Sequence, residues 1–534
     1  MAAVAEPGLA PGASAPVPQA APRRLRVGLY ADSALQPRWV LEAFGRLFGT
    51  DYAALAAVAV EQAPQPAEPL LLAAYRGLDK WRFGSDLSEP KDLSLLGLPI
   101  GQGAAHLERR ELDVVFALGA VNDTALDGIA RCGVWRWVVD GKSEVFCGAP
   151  LSASGLSVRL AAGAAPRLAY QSWSRTYPLS VARNRRELLE KTAEFPARAL
   201  RELHQSGREW LEQCQILEDR GQTPISAGSV ARLGKRIVQR GIQKALGIDQ
   251  WSLAFRFSSM RGPARSVPAD LKGFTRLEPP KDRDWADPFV LEKGGRWYVF
   301  FEEKPYATGK AHISVIEVDA HGRHSTPQRV LERDYHLSYP FLLEHGGSLY
   351  MVPETAQNRS VEAYRCVEFP LRWRLERKLL DGVRCVDASL ARSGDRWWMF
   401  ANAAAGEGRV CDDELHVFHA ADPLGRSGGG WRPHRRNPVK SDVRSARPAG
   451  APFWRDGALH RPAQICAPLY GAGLSINRIQ RLTPDDYAER ETQRFLPAAP
   501  HAGLLGWGAL LGIHTINRAG DLTVVDAFTR VRRI

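Results

Sequence analysis

The first part of the chain alternates between short apolar runs and segments whose apolar residues have helical spacing. The segments RLRVGLYA (Arg24 to Ala31), LAAVAV, LDVVFALGA (Leu112 to Ala120) and VWRWVV have the composition of strands, and LEAFGRLF and ALDGIARCG have the spacing of helices. Strands that alternate with helices are typical of a parallel sheet with crossover connections. The pattern predicts an α/β domain over residues 24–165, preceded by a disordered Pro- and Ala-rich tail over residues 1–23.

The pattern then changes to a helical, basic connecting region over residues 166–250. The segment SVARLGKRIVQRGIQKALG places cations from Arg232 to Lys244 among apolar residues at helical spacing. Such a helix is suited to an anionic membrane surface. Packing on a neighbouring domain is the more common use of an amphipathic helix, so both interpretations stay open.

From about residue 280 one sequence pattern recurs. DPFVLEKGGRWYVFFE begins at Asp287, YPFLLEHGGSLYMVPE at Tyr339 and DASLARSGDRWWMFAN at Asp387, so the starts lie 52 and 48 residues apart. Looser copies end at Gln464 and Phe528. A repeat of about 50 residues made of short strands is typical of a propeller blade. The pattern predicts a five-bladed β-propeller over residues 251–534.

Each of the first three copies has a Gly-containing pair at its centre, which is typical of a tight hairpin turn. Counting outward from these turns predicts opposed residues near the open end of each hairpin. The predicted pairs are Asp287 with Glu302, Tyr339 with Glu354, Asp387 with Asn402, and Ala449 with Gln464. In a ring of blades, these polar ends would converge in a funnel around the central axis.

Two carboxylates that converge in a polar funnel are the minimum set for cleaving or transferring a glycosidic bond, one as acid and one as base or nucleophile. The predicted catalytic residues are Asp287, Asp387, Glu354 and Glu302. The side chains predicted to bind the sugar are Asn402, Arg447, His460, Arg461, Gln464 and His514. The alternative is that the acids form structural ion pairs with Arg447 or Arg461.

Charge and motif content narrow the classes of function. The chain has 71 Lys and Arg against 59 Asp and Glu, a net charge of +12, without an RNA- or DNA-binding module. We therefore predict a glycan or glycoconjugate as partner and no nucleic acid. No GxGxxG, GxxxxGK[ST] or HExxH motif is present, so we predict no cofactor and no metal.

The cysteines and apolar runs bear on the compartment. Seven cysteines are scattered without a CxxC pair, a pattern that suits a reducing compartment. No apolar run approaches the roughly 20 residues that a membrane-spanning helix needs. These features lead us to expect a cytoplasmic protein.

The Asp-Pro-Phe opening of the first blade, with acids on later blades, resembles the five-bladed propellers of family 43 and family 32 glycoside hydrolases. The resemblance implies that Asp287 is the base or nucleophile. It also implies a second aspartate and an acid glutamate on later blades, for which Asp387 and Glu354 are the nearest residues.

A closer resemblance covers Asp249 to Arg533. The segments DQWSLAFR, DWADPF, YPFLLE, VDASL, HRPAQ and YGAGLSINRI resemble the propeller domain at the N-terminal end of plant glucosamine inositolphosphorylceramide transferases. The resemblance implies a glycan-related role. In the plant family a separate glycosyltransferase domain is present, so the resemblance does not imply that the propeller itself transfers sugar.

Bacterial proteins with this propeller carry a formyltransferase-like domain before it, and LDVVFALGA followed by ALDGIARCGVWRW resembles that fold near its active site. The family places an Asn-His-Asp set there. This chain has Asn122 and Asp140, but Val138 and Val139 stand near the expected histidine, and valine cannot transfer a proton. We therefore expect a Rossmann-like, formyltransferase-type domain that has lost its chemistry.

Three functions thus remain open. The first is a carbohydrate-active protein that binds and cleaves or transfers a glycosidic bond in the propeller funnel. The second is a non-catalytic glycan-binding scaffold for surface-polysaccharide or glycolipid assembly. The third is a surviving formyltransferase that acts on an amino sugar.

Overall fold

The computed structural model describes residues 23–62, 70–84, 86–218, 225–258, 271–403, 411–497 and 508–532. The predicted tail lies outside these residues apart from Arg23. The described residues form a seven-stranded sheet with helices and, after it, five antiparallel sheets.

The N-terminal unit is an α/β structure around one open sheet. Its elements are β1 (Leu25–Ala31), β2 (Leu35–Pro37), α1 (Arg38–Phe48), β3 (Ala53–Val60), α2 (Leu70–Phe83), β4 (Pro90–Asp92), β5 (Ile100–Gln102), α3 (Ala105–Glu108), β6 (Val114–Leu118), β7 (Val134–Val139), α4 (Ser143–Cys147), β8 (Leu151–Arg159) and β9 (Arg167–Arg175). The strand order is β5-β3-β1-β6-β7-β8-β9. The strands from β5 to β7 are parallel, and β8 and β9 are antiparallel additions.

Burial explains why β1 and β6 lie at the centre of this sheet. Both are almost continuous apolar runs, as expected for a parallel strand covered on both faces. The predicted helix over ALDGIARCG is wrong, since only Asp123–Leu126 forms a short 3-10 turn. Gly128 and Gly133 follow with φ of 80° each, and this left-handed backbone interrupts a helix.

Three helices continue the unit beyond the predicted boundary at residue 165. They are α5 (Val181–Thr192), α6 (Phe195–Ser206) and α7 (Arg208–Gln213). Leu189, Phe195 and Leu200 on these helices belong to the same buried core as β1 and β6. The sheet and its helices therefore extend to Gln213, and the predicted boundary cuts off the edge strand β9.

The basic amphipathic segment forms the predicted helix, α8 (Ala227–Leu246). It leads directly into the first strand of the propeller. Within the described part of the chain, no helix has the length and apolar character needed to cross a membrane.

The propeller has five blades, as predicted. Its first strands are β10 (Gly247–Phe257) and β11 (Thr275–Leu277). Blade one has β12 (Arg283–Lys293), β13 (Arg296–Pro305), β14 (His312–Val318) and β15 (Gln328–Leu331); blade two has β16 (Ser338–His345), β17 (Ser348–Thr355), β18 (Ser360–Glu368) and β19 (Arg372–Asp381). Blade three has β20 (Cys385–Ser393), β21 (Arg396–Ala403), β22 (Glu414–Ala420), β23 (Arg432–Pro433) and β24 (Lys440–Ser441); blade four has β25 (Phe453–Arg455), β26 (Ala458–Ile465), β27 (Gly473–Leu482) and β28 (Tyr487–Phe495).

Blade five closes the ring with strands from both ends of the propeller. Its inner strands are β29 (Leu510–Gly512), β30 (Ile516–Ala519) and β31 (Leu522–Arg532). β10 pairs with β31 in antiparallel register from Gly247 opposite Arg532 to Phe257 opposite Leu522. This ladder joins the first strand of the propeller to its last strand and thereby closes the ring of blades.

Candidate funnel on the propeller axis

A β-bulge recurs at the open end of the inner hairpin in the first three blades. Ala286 faces Glu302, Ser338 faces Glu354 and Val386 faces Asn402. The next residues, Asp287, Tyr339 and Asp387, are extra and have φ of 52°, 46° and 55°. The predicted pairing is therefore wrong by one residue, since a bulge sets two residues against one.

The bulge directs each extra residue to another blade. The Thr515 hydroxyl in blade five donates to Asp287 Oδ1 at 2.7 Å, and Tyr339 OH lies 2.8 Å from Ser389 Oγ in blade three. Asp387 contacts the segment that opens blade four. The rotational repeat thus brings the predicted acids together at one end of the ring, which we call the funnel.

Asp387 is held by two neighbours in blade four. Arg447 Nε lies 2.5 Å from Asp387 Oδ2 and Arg447 Nη2 lies 3.2 Å from Oδ1. The Gln464 amide donates to Asp387 Oδ2 at 2.9 Å. Arg447 Nη2 also lies 4.0 Å from Glu354 Oε2. The Asp387 carboxylate therefore forms an ion pair with Arg447, which is the structural alternative that the sequence left open.

Asp287 lies beside a second buried acid, Asp526. The backbone amides of Asp287, His514 and Thr515 donate to the Asp526 carboxylate at 3.1, 2.8 and 3.0 Å. His514 Nδ1 lies 2.5 Å from Asp526 Oδ2 and 3.7 Å from Asp287 Oδ1. Trp251 on β10 stacks on the His514 ring at 3.9 Å.

Asp287, His514 and Asp526 also place potential ligand atoms within 4.8 Å of one another. Such a set has the donor types of a cation site. Asp526 already accepts three backbone N–H bonds and contacts His514. Both oxygens of the Asp526 carboxylate therefore have protein partners.

Glu302 and Glu354 occupy equivalent positions in blades one and two, and both are less buried than the two aspartates. Their side chains are 12% and 14% exposed, against 5% for Asp287 and 1% for Asp387. His336 Nε2 lies 3.3 Å from Glu302 Oε1, and the Ser338 hydroxyl donates to Glu354 Oε2 at 3.1 Å. These glutamates stand nearer the open end of the funnel.

Burial and neighbouring charges separate the pKa values of the acids. Burial raises the pKa of Asp287 to about 8, with nearby Asp387 adding to the shift. Burial and Asp387 raise the pKa of Glu354 to about 7. Burial opposes ionisation of Glu302, yet the His336 hydrogen bond and charge leave its pKa below the usual value. At neutral pH the funnel thus holds both protonated and ionised carboxyls.

His514 is the charged partner of this group. Burial alone would lower its pKa, but Asp526 and Asp287 raise it to about 9. The imidazole is consequently a cation at neutral pH and offsets the surrounding acids.

Asn402 occupies in blade three the position that Glu302 and Glu354 occupy in blades one and two. It is fully buried. Neither its Nδ2 nor its Oδ1 makes a hydrogen bond with any residue in the described part of the chain. Buried amide groups normally have partners, so the hydrogen-bonding capacity of this side chain is unused among the described residues.

His460 and Arg461 are not in the funnel, which corrects the prediction that they bind the sugar. His460 stacks on Phe453 at 5.5 Å near the turn of the blade-four hairpin. It is four residues along β26 from Gln464, about 13 Å at the usual strand rise. Arg461 is fully buried in an ion pair with Glu489 at 2.7 Å. Both are structural residues of blade four.

Several funnel residues were not predicted as site residues. Tyr470 faces the Arg447 guanidinium with its ring centroid 4.9 Å away, and His336, Thr515, Asp526 and Trp251 surround the acids. Tyr470 and Trp251 lie in segments that carried the resemblance to the plant propeller. His336 lies outside the repeated hairpins, so the repeat gave no signal for it. Asp526 lies two residues before the end of the loose fifth copy and was not selected.

The N-terminal unit contacts the propeller beside the funnel. Arg175, Lys191 and Arg198 meet three consecutive acids before and at the start of β22: Asp412, Asp413 and Glu414. The preceding carbonyl, that of Cys411, accepts a hydrogen bond from Arg447 Nη1 at 2.9 Å. One backbone segment therefore binds both the N-terminal unit and the arginine that holds Asp387.

Asn122 and Asp140 accept hydrogen bonds from backbone amides nearby in the chain. Asn122 accepts the Thr124 amide at 3.1 Å, and Asp140 accepts the Lys142 and Ser143 amides. Ligands of open α/β sheets usually bind where the strand order reverses, which here is between β1 and β6. Asp32 bridges that crevice, since it accepts the Ala120 amide at 2.9 Å.

The pKa of Asp287 predicts a dependence of stability on pH. The folded state keeps this proton up to about pH 8, whereas the unfolded chain releases it near pH 3.8. The free energy of unfolding should therefore fall as pH rises between these values. Asp287→Asn should flatten that slope in urea unfolding measured from about pH 5 to about pH 8. Equal slopes for the variant and the wild type would contradict the raised pKa.

Comparison with known proteins finds similarity over the propeller. Residues 281–515 match the family model described as glucosamine inositolphosphorylceramide transferase 1, N-terminal. The glucosamine inositolphosphorylceramide transferase 1 of Arabidopsis thaliana is 32% identical over 232 residues, 43% of this chain and 30% of the relative. That of Oryza sativa subsp. japonica is 33% identical over 207 residues, 38% of this chain and 27% of the relative.

Partial similarity to solved structures includes two glycoside hydrolases. One is the catalytic domain of a Coprinopsis cinerea GH62 alpha-L-arabinofuranosidase, with a TM-score of 0.35, 14% identity, and coverage of 52% of this chain and 97% of that chain. The other is Zg3597, a family 117 glycoside hydrolase from Zobellia galactanivorans, with a TM-score of 0.33, 12% identity, and coverage of 53% and 90%. The chain spans less than a third of the length of the two plant relatives. Its propeller resembles the N-terminal domain of glucosamine inositolphosphorylceramide transferase 1.

Proposed function

We propose that the propeller funnel binds the sugar part of a glycan or glycoconjugate. The observation that carries this proposal is Asn402, whose buried amide makes no hydrogen bond with a described residue. A sugar hydroxyl is both donor and acceptor, so neighbouring hydroxyls can satisfy the two ends of one amide. Glu302 and Glu354 lie at the equivalent positions of blades one and two. Their carboxyl oxygens add hydrogen-bond acceptors to the funnel.

The plant relatives support a glycolipid as the class of ligand. Their name specifies glucosamine and inositolphosphorylceramide, a sugar and a lipid with an inositol phosphate group. The match covers the propeller, which is the part of this chain that contains the funnel. A scaffold that holds such a glycoconjugate during surface-polysaccharide or glycolipid assembly accounts for these features.

The geometry of Asp387 favours a binding role over a catalytic role for this aspartate. Both of its oxygens contact Arg447, and Gln464 donates to one of them. A general base must be free to accept a proton from water or substrate. Asp387 is better explained as the residue that positions Arg447 and Gln464 on the funnel wall.

A second candidate function is acid–base chemistry at a glycosidic bond by Glu354 and Glu302. The pKa of Glu354 is raised to about 7, and the pKa of Glu302 is lowered by His336. Two carboxyls whose environments separate their pKa values are suited to acid and base roles. Glu354 would protonate the leaving oxygen, and the Glu302 carboxylate would take a proton from the attacking hydroxyl.

We propose that the N-terminal unit is a formyltransferase-like domain without formyl transfer. Asn122 and Asp140 bind nearby backbone amides, and Asp32 occupies the crevice between β1 and β6. Val138 and Val139 supply no proton-transfer group. Folate-dependent formylation of an amino sugar by the full chain would overturn this proposal.

A glycan array tests the binding proposal. We expect the wild type to bind a restricted set of glycans and Asn402→Leu to lose that binding by about tenfold or more, because two hydrogen bonds are removed. Asp395→Asn is the matched control, since Asp395 is 86% exposed at the turn of the blade-three hairpin. Wild-type binding that Asn402→Leu retains in full would contradict the funnel as the site.

Turnover of the bound glycan separates the two candidate functions. Product release by the wild type that Glu354→Gln abolishes would support acid catalysis. Binding without turnover by either protein would leave the scaffold function.

A further inference from the structure

Helix α8 has one face on the protein and one open face. Leu233 is buried against Val145 and Phe146, and Arg236 donates to the carbonyl of Val145. Arg240 forms an ion pair with Asp249 at 3.2 Å. Because Leu233, Arg236 and Arg240 are three and four positions apart, they share one side of the helix. The opposite side of α8 therefore faces away from these contacts.

The outward side of α8 is apolar along most of its length. Each member lies three or four positions from another member, and all are exposed: Ala231, Gly234, Val238, Gly241, Ile242 and Ala245. Val238 is 62% exposed and Ile242 is 37% exposed. No described atom lies within 4 Å of where a Cβ would stand on Gly234 or Gly241. Among the described residues, none covers these two positions of the open face.

Exposed cations border this face. Arg232 and Lys235 lie on one border and Lys244 lies on the other. The helix contains no Asp or Glu, so no acid on the helix itself offsets these charges. An apolar strip with basic borders is the composition of helices that lie in the head-group region of a membrane.

We propose that the open face of α8 docks on an anionic lipid bilayer. Val238 and Ile242 enter the boundary between head groups and acyl chains, and Arg232, Lys235 and Lys244 contact lipid phosphates. A second copy of the chain is a poorer partner for this face. Two α8 helices would bring like charges together with no acid on either helix to pair with them.

The position of α8 connects membrane docking with the funnel. The helix continues into β10, where the Gln250 amide donates to the carbonyl of Arg283 at 2.7 Å. Arg283 begins β12 at the same end of the ring as Asp287, and Trp251 stacks on His514. Docking would thus hold the funnel near the lipid head groups. This consequence rests on the proposed function, whereas bilayer binding itself does not.

Sedimentation with vesicles that contain no glycan tests the inference independently of sugar binding. We expect the full chain to sediment with phosphatidylcholine vesicles that contain about 30% phosphatidylglycerol, and to bind pure phosphatidylcholine much more weakly. High salt should release a large part of the bound protein. Val238→Glu with Ile242→Glu should lower vesicle binding about tenfold or more, since charges would enter the interface.

Two further variants complete the test. Lys235→Ala with Lys244→Ala should lower binding to anionic vesicles about tenfold and weaken its dependence on salt. Leu375→Glu is the matched control, because Leu375 is also exposed, at 44%, but lies on the outer strand of blade two. Its vesicle binding should equal that of the wild type.

Three results would overturn the inference. The first is wild-type protein that remains in the supernatant with anionic vesicles at low salt. The second is vesicle binding of both α8 variants that equals the binding of Leu375→Glu. The third is a dimer in light scattering that Val238→Glu with Ile242→Glu converts to a monomer, which would make the open face a contact between copies.

Discussion

Arg447→Met is expected to lower the free energy of unfolding by about 3–5 kcal/mol, because it leaves Asp387 as a buried charge without its partner. Arg447 contacts both oxygens of Asp387, lies 4.0 Å from Glu354 and donates to the carbonyl of Cys411. A single side chain therefore joins blades two, three and four at the funnel. Urea unfolding of the purified full chain measures the effect.

A second substitution distinguishes a lost ion pair from lost packing. Adding Asp387→Asn to Arg447→Met removes the buried charge that the single variant leaves behind, so it should recover about half of the lost stability or more. The same Asp387→Asn change in the wild type should be destabilising. Additive losses in the double variant would show that Asp387 and Arg447 do not act as a pair.

Lys191→Met is expected to lower the free energy of unfolding by about 3 kcal/mol, since the lysine is a buried cation between two domains. Lys191 is 1% exposed, and its Nζ lies 2.7 Å from Asp413 Oδ2 and 3.0 Å from Ser174 Oγ. Loss of this ammonium leaves Asp413 with the Ser174 hydroxyl alone. We also expect the variant to unfold in two separated steps, because the link between the N-terminal unit and the propeller is weakened.

Arg436→Met is the matched control for this interface. Arg436 reaches Glu202 of the N-terminal unit at 2.7 Å but is 46% exposed. Solvent-exposed pairs contribute about 0–1 kcal/mol, so this variant should retain nearly wild-type stability. Equal losses for Lys191→Met and Arg436→Met would contradict the assignment of Lys191 as the central contact.

The propeller could be predicted from sequence because its repeat is strong. DPFVLEKGGRWYVFFE and its two relatives share a central turn, an apolar middle and polar ends, and these features specify hairpins of equal length. The rotation of equal blades then brings Asp287 and Asp387 to one end of the ring. The structure confirms five blades, and Arg447 contacts Glu354 and Asp387 from two of them.

The details of the funnel could not be predicted from the same pattern. The bulge residues, Asp287, Tyr339 and Asp387, adopt positive φ, which residues other than glycine rarely do. A two-residue alternation of apolar and polar positions does not predict where such a bulge occurs. The pairing predicted with Glu302, Glu354 and Asn402 was consequently shifted by one. The bulge matters chemically, because it directs the aspartates to neighbouring blades.

Other errors arose where contacts are distant in sequence. Arg461 was predicted to bind sugar, but it lies three residues from Gln464, so the two side chains point to opposite faces of β26. Its partner Glu489 lies on the next strand but one. The acids from Asp412 to Glu414 bind an α/β unit over 200 residues away in sequence, a relation that no local pattern contains.

The most direct test of the funnel is a crystal structure of the full chain with the glycan that binds best on the array. We expect a sugar ring in the funnel, with hydroxyls hydrogen-bonded to both ends of the Asn402 amide and to Glu354 or Glu302. A glycan bound elsewhere on the propeller or on the N-terminal unit, with the funnel unchanged, would contradict the account.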